Sequence, residues 1–274
     1  MRPTGKRFYV VATVLPTLGF GVMLVALWPV RNAPFGWENW RPASCMPGHC
    51  FCEAIRTTGI RQPSNAWSSL AFVLVSLLVV GHALAIRSMP RFTPTNAMAR
   101  HLVYPLLFAL ASLLIGFGSA FYHASLSFAG QFVDVFGMYL IATFVLMYNI
   151  GRLHPISATA AVAGYALANV ALAALLYEVP LLRRVMFGVV IVTALAVELP
   201  IRRRLQPVLN GRLLGSAIVI LAIGFAVWIL DIANILCAPA STLQGHAVWH
   251  VAGAVSTLLL YFFYCSEGVE RNPL

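Results

Sequence analysis

Residues 101–122 read HLVYPLLFALASLLIGFGSAFY, and the run holds no Asp, Glu, Lys or Arg. A helix needs about 20 apolar residues to cross a bilayer core, so this stretch suffices for one passage. Further runs of that kind flank it at 8–30, 65–86, 130–149, 156–176, 183–200, 213–235 and 246–265. They are continuous rather than alternating with period 2, which favours helices over a transmembrane barrel. Pro16, Gly21, Pro105 and Gly164 fall inside them, and membrane helices tolerate both residue types. The composition agrees: 60% of the 274 residues are hydrophobic and 9% are charged, against about 25% charged in an ordinary soluble domain. The expected fold is an all-α polytopic transmembrane helix bundle, and a water-soluble globule is excluded.

The first run follows Arg2, Lys6 and Arg7, as the apolar region of a signal peptide would. It is longer than the roughly 7–15 residues of such a region and no Ala-x-Ala site follows, so it reads as an uncleaved anchor. With the N-terminus cytoplasmic, segments 1–7, 87–100, 150–155, 201–212 and 266–274 face inward and hold 12 of the 18 Lys and Arg residues. That bias predicts both termini inside, with Arg202, Arg203 and Arg204 as the clearest cytoplasmic anchor. The net charge of +10 is then a topology signal plus attraction to anionic lipid. No soluble surface gathers the cations, so nucleic acid is not an expected partner, and no obligate protein partner is evident. Cys45, Cys50 and Cys52 fall in the first outside loop and Cys237 in the last, on the side where disulfides persist. Disulfide pairing is one reading; free or metal-binding thiols, with His49 beside Cys50, are the other.

A charged side chain at the bilayer centre costs about 2.5–3.5 kcal/mol, so each one within a span calls for a reason. These are His123, Asp134, Glu198, Asp231, His246 and His250, with Ser119 as a neutral companion. His82, His101 and His154 lie near cytoplasmic span ends and read as interfacial. Ser119 and His123 are four residues apart, which puts both on one helix face; His246 and His250 repeat that spacing. Asp134 lies near the start of the fourth span, so three helices deliver polar groups at one membrane depth. Taken singly, each has a plainer explanation. A His pair can serve interhelical hydrogen bonds, Ser119 can pack and bond its own backbone, and Asp134 can be a relay or ion-pair residue. Asp231 and Glu198 fit a transport relay or structural hydrogen bonds, and Glu198, near the Arg cluster, fits an interfacial ion pair. Together, three histidines make up the ligand count of a catalytic zinc site, which leaves a fourth position open. Asp134 then suits general-base work on water, and Ser119 suits donation to a developing oxyanion.

The ordered set Gly118-Ser119-Ala120-Phe121-Tyr122-His123, Gln131, Asp134 and His246-Ala247-Val248-Trp249-His250 resembles the alkaline ceramidase family. That family sits in a superfamily of seven-span hydrolases that includes the adiponectin-receptor-like proteins. Cys52-Glu53, Pro63-Ser64-Asn65-Ala66-Trp67-Ser68 and Trp228-Ile229-Leu230-Asp231 running to Cys237 match as well, so the resemblance covers about residues 50–265. It implies a seven-helix hydrolase domain at 65–265, preceded by an N-terminal anchor helix within 1–35 and an extracytoplasmic Cys-containing loop at 36–64. A cytoplasmic tail at 266–274 would follow. It also implies zinc on His123, His246 and His250, Asp134 acting on the attacking water, Ser119 steadying the oxyanion, and a Cys52–Cys237 disulfide. The implied reaction is hydrolysis of the ceramide amide to a sphingoid base and a fatty acid.

The family's animal members bind calcium just before the first shared span. Here Cys50 and Gln62 stand where carboxylates are expected and Glu53 alone survives. A calcium ion takes 6–8 oxygen ligands, so calcium is not expected. Val135 follows Asp134 where an acidic residue is common. An Arg-rich, nearly Lys-free composition points to a bacterial inner membrane, where the substrate would be ceramide or another N-acyl lipid. Two other readings use the same residues: an ester-lipid or phospholipid hydrolase, and a non-enzymatic receptor-like or transport bundle with structural zinc.

Overall fold

A computed structural model describes residues 6–46, 48, 50–89, 96–154, 156–205 and 209–268. Arg2, His49 and the side chains of Arg202 and Arg204 lie outside the described residues, as does the tail from 269. Eight helices are long and apolar enough to cross a membrane. They are α1 (Lys6–Asn32), α2 (Pro63–Arg87), α3 (Val103–Ser125), α4 (Phe128–Leu153), α5 (Ala158–Glu178), α6 (Pro180–Ile201), α7 (Gly211–Ile232) and α8 (Gly245–Cys265). The chain is an all-α polytopic bundle. An isolated bridge between Pro42 and Ser127 is the extended pairing seen among the described residues.

The helix ends follow local chemistry. Pro63 opens α2, where a missing N–H costs nothing. The turn from α3 to α4 needs only Leu126, in the left-handed region, and Ser127, whose hydroxyl accepts the Gly130 N–H at 3.1 Å. Ser157 caps α5 in the same way through the Ala160 N–H. The seventh helix ends at Ile232, short of the expected 235, because Asn234 turns the chain away at φ 58°. Asp231 therefore sits in the last turn of α7, at the very end of that span.

Glycines let α3 and α4 meet backbone to backbone. A Cβ on Gly137 would stand 2.8 Å from the Ile115 nitrogen, one on Gly130 2.7 Å from the Tyr122 Cα, and one on Gly118 3.0 Å from the Asp134 nitrogen. That pair is the spine of the bundle. α2 packs on α3, α8 on α2 and α7, and α5 and α6 on α4, while α1 docks on α2 from outside. Pro16 of α1 seats against Gly81 of α2, and Leu18 and Val22 of α1 are left largely exposed, as a lipid-facing helix requires. Val135 lies in an apolar cluster with Tyr139 and Leu176, so an acid at that position would be buried among hydrocarbon.

The two ends of the bundle differ. At one end Arg152 of α4 binds Glu198 of α6 and Glu267 beyond α8, which ties three helices together and gives Glu198 its ion-pair partner. Near that end His82 bonds the Tyr261 hydroxyl at 2.9 Å, whereas His101 and His154 are exposed. At the other end the described residues of 33–46 and 50–62 fold back over the helices. Ala43 donates to the Leu126 carbonyl, Phe128 to the Arg41 carbonyl and Arg61 to the Ala124 carbonyl. Gln131 clasps Ser44 twice, its Oε1 accepting the backbone N–H and its Nε2 donating to the hydroxyl, each at 2.8 Å. Two disulfides complete this cover, Cys45–Cys50 within it and Cys52–Cys237 across to the end of α7.

Candidate metal centre and active site

Under that cover, His123 of α3 and His246 and His250 of α8 converge. One ring nitrogen from each lies within 4.8 Å of the other two, and all three side chains are buried. The Nε2 atoms of His123 and His246 are 3.1 Å apart. A tetrahedral zinc with Zn–N of about 2.0–2.1 Å sets its ligand nitrogens about 3.4 Å apart. The closest pair already stands near that spacing, and the rest of the cluster needs only side-chain adjustment.

The surroundings select the tautomers. Gln62 donates its Nε2–H to the Glu53 carbonyl, which turns its Oε1 towards His123 Nδ1 at 2.9 Å. An acceptor there requires the proton on Nδ1 and leaves Nε2 a bare lone pair. His250 is fixed likewise. The hydroxyls of Ser68 and Ser69 both donate to the Asn65 carbonyl, leaving lone pairs facing His250 Nδ1 at 2.9 and 3.2 Å. His250 Nε2 is then bare too. His246 stacks on Phe51 with ring centroids 3.9 Å apart, and its buried Nδ1 has no protein partner. Two bare nitrogens aimed at a third ring, with the outer nitrogens held by hydrogen-bond acceptors, form the donor set a metal ion requires. The residues fit zinc.

Ser119 and Asp134 complete the group. Ser119 is buried one turn before His123, its hydroxyl oxygen 3.3 Å from His250 Nε2 and 3.0 Å from that of Ser69. The close packing of Gly118 against the Val133–Asp134 backbone of α4 brings Asp134 beside Ser119. All five site residues named from the sequence therefore meet at one end of the bundle.

The other polar residues have different work. Asp231 accepts from the backbone N–H groups of Cys52 and His246, each at 3.3 Å, and so joins the cover to the start of α8. This is helix capping from a neighbouring helix, which accounts for its carboxylate without a relay. Glu53 accepts from the N–H groups of Ser64 and Asn65 at 2.7 and 2.9 Å. Both its oxygens cap α2, which is what the surviving carboxylate of the cover does here. Burial pushes the Glu53 carboxyl above its ordinary range, and those two amide bonds pull it part of the way back.

Several participants escaped the sequence reading. Gln62 was notable only as a lost carboxylate, and Ser69 and Phe51 carried no signal, because each meets a histidine far away in the sequence. α6 and α7, although consecutive, share little packing, but the Arg184 guanidinium of α6 lies 5.1 Å over the Trp228 ring of α7, which is 6.2 Å from His246.

Fold and site together define an α-helical integral membrane protein with a buried three-histidine cluster suited to a metal ion, flanked by a serine and a carboxylate. Comparison with known families makes this specific. The family model described as Ceramidase matches residues 50–271, and the chain belongs to that family. It is thereby an amide hydrolase of the ceramide-cleaving kind. No curated protein matches the chain.

Proposed function

We propose that the chain is a zinc-dependent amidase of the membrane that hydrolyses the N-acyl bond of ceramide or a related N-acyl lipid, releasing a fatty acid and an amino base. The observation that carries this reading is the convergence of three imidazoles with the tautomers that metal ligation needs. Family membership supports the amide as the bond cleaved. In the anatomy that goes with it, residues 1–35 anchor the chain and 36–64 cover the site. Residues 65–265 form the hydrolase domain and 266–274 a cytoplasmic tail. The protein sits in a bacterial inner membrane with both termini in the cytoplasm and the site towards the extracytoplasmic face.

His123, His246 and His250 would hold the metal. Zinc, when bound, supplies Lewis acidity and lowers the pKa of water to about 7. Asp134 takes a proton from the attacking water as its oxygen bonds to the acyl carbon, then delivers that proton to the departing nitrogen as the C–N bond breaks. Ser119, one helical turn from His123, donates its hydroxyl hydrogen to the acyl oxygen as that atom gains negative charge. Phe51 and the cover exclude bulk water from the imidazoles, which strengthens each of these interactions.

Metal analysis of the purified protein should find about one zinc per chain. Mass spectrometry of lipids should find released fatty acid that disappears with a chelator. His246→Ala and His250→Ala should each lose both metal and turnover; an intact rate in either variant rejects the reading.

A further inference from the structure

A side-chain amide with nothing to bond is buried on the face of α2 that backs the histidines. Asn65 is fully buried, and among the described residues neither its Oδ1 nor its Nδ2 has a hydrogen-bond partner. Of the buried side-chain oxygens in that set, Oδ1 is the one left without a donor. Native interiors pair nearly every such group, so an exception beside a reaction site calls for an explanation.

Helical spacing aims this side chain. Residues 63–69 form the unbroken first stretch of α2, with Gln62 at its N-cap. Gln62 stands three residues before Asn65, and Ser68 and Ser69 three and four after it, which puts all four on one face. Gln62 faces His123 Nδ1, the two serines face His250 Nδ1, and Ser69 also lies 3.0 Å from Ser119. Trp67 points the other way, onto Trp28 of α1. The main chain of Asn65 is held on both sides, its N–H donating to Glu53 at 2.9 Å and its carbonyl accepting both serine hydroxyls. The amide is thus carried rigidly at the depth of the histidines, and the fold makes no use of its polar atoms.

The hydrolytic scheme leaves one group of the substrate without a partner. Ser119 serves the acyl oxygen, and Asp134 serves the water and the nitrogen lone pair, but the N–H of a secondary amide has no acceptor. Gln62, Ser68, Ser69, Glu53 and Asp231 do not supply one, because each already bonds within the protein. The Asn65 carbonyl end can. As the acyl carbon becomes tetrahedral, the nitrogen lone pair has to turn towards its proton source, and an acceptor on the other side holds the N–H in that orientation. Nδ2 is left for a hydroxyl oxygen of the amino base.

We propose that Asn65 is a substrate-binding residue whose Oδ1 accepts the N–H of the scissile amide, so that it favours amides over the corresponding esters. The inference rests on the amidase reading and adds to it the residue that recognises the nitrogen.

The test uses the full-length, zinc-loaded protein in nanodiscs and three lipids with the same acyl chain and the same hydroxylated base: the secondary amide, its N-methyl form and the matched ester. Asn65→Leu should lower kcat/KM for the secondary amide about tenfold or more, and leave the N-methyl amide and the ester nearly as they were. Asn65→Asp keeps an oxygen at the same place and should keep the selectivity. Zinc content should equal that of the wild type in both, and Asn65→Ala gives the same comparison if the Leu variant does not fold. A side chain that only fills space would lower all three substrates together, and that result overturns the proposal, as does selectivity unchanged in Asn65→Leu or lost in Asn65→Asp. Native mass spectrometry with a non-hydrolysable sulfonamide lipid is the second readout. The wild type should retain the N–H form about tenfold better than the N-methyl form, and Asn65→Leu should retain the two alike; equal retention by the wild type overturns the proposal. Failure to turn over the secondary amide at all refutes the amidase reading instead, and the sulfonamide pair then decides the role of Asn65 on its own.

Discussion

At the scale of single residues, the site depends on what stands behind each imidazole. Gln62 is wholly buried, and its Oε1 is the acceptor that His123 Nδ1 faces. Gln62→Leu keeps the volume and removes that acceptor, leaving a buried N–H unpaired at a cost of about 1–3 kcal/mol. Metal affinity should fall about 10–100-fold, the usual effect of losing such a partner, as read by chelator competition. Glu53 offers a prediction in pH. Its folded pKa is raised by burial, so its contribution to stability is fully present below the unfolded pKa and is lost as pH rises through the folded one. The thermal midpoint of the wild type relative to Glu53→Gln should therefore decline as pH rises above about 4.5; a difference that grows with pH contradicts the assignment. The histidines and Asp134 were legible because a charged or polar group inside a bilayer needs a reason and because spacing of four marks one helix face. Gln62, Ser69 and Phe51 were not, since a contact between segments far apart in the chain leaves no periodic trace in either.

At the scale of elements, the α3–α4 pair sets where Asp134 stands relative to Ser119. Gly137 faces the Ile115 backbone, with 2.8 Å of room where a methyl needs about 3.4 Å or more. Gly137→Ala touches no site residue, yet the added carbon must push the two backbones apart. Overpacking of this kind costs about 1–3 kcal/mol, and here it also separates the Asp134 carboxylate from the hydroxyl it meets. The expected result is a lower thermal midpoint together with a fall in kcat, while zinc content stays near that of the wild type, because His123, His246 and His250 sit on α3 and α8 alone. Lost zinc with unchanged kcat per bound metal would show that the spacing of α3 and α4 is not what positions the carboxylate. The existence and approximate length of these helices followed from apolar runs alone. The end of α7 did not, because it is set by a left-handed Asn234 and by an Asp231 carboxylate whose partners come from the cover and from α8.

At the scale of the molecule, α8 carries two of the three clustered histidines and is held at both ends. Beyond its far end, Glu267 is gripped by Arg152, which also holds α6 through Glu198. At its near end, the Asp231 carboxylate links the first turn to the cover, and Cys52–Cys237 fastens that cover to the connection between α7 and α8. The Cys52–Cys237 bridge is the one the family resemblance implies; the Cys45–Cys50 partnership was not legible, since three cysteines in one short loop allow several pairings. The two bridges should differ sharply in worth. Cys52 and Cys237 are 185 residues apart in sequence and Cys45 and Cys50 only 5. The loop-closure term scales with the logarithm of that separation, which favours the long bridge by about 3 kcal/mol. Replacing Cys52 and Cys237 by Ser should lower the thermal midpoint by several degrees more than replacing Cys45 and Cys50. Only the first pair should also speed zinc release into a chelator, because only that bridge braces the turn from which His246 and His250 project. Equal losses from the two pairs would mean that the helices alone hold α8 in register, and that the cover acts as a shield over the metal site rather than a strut for it.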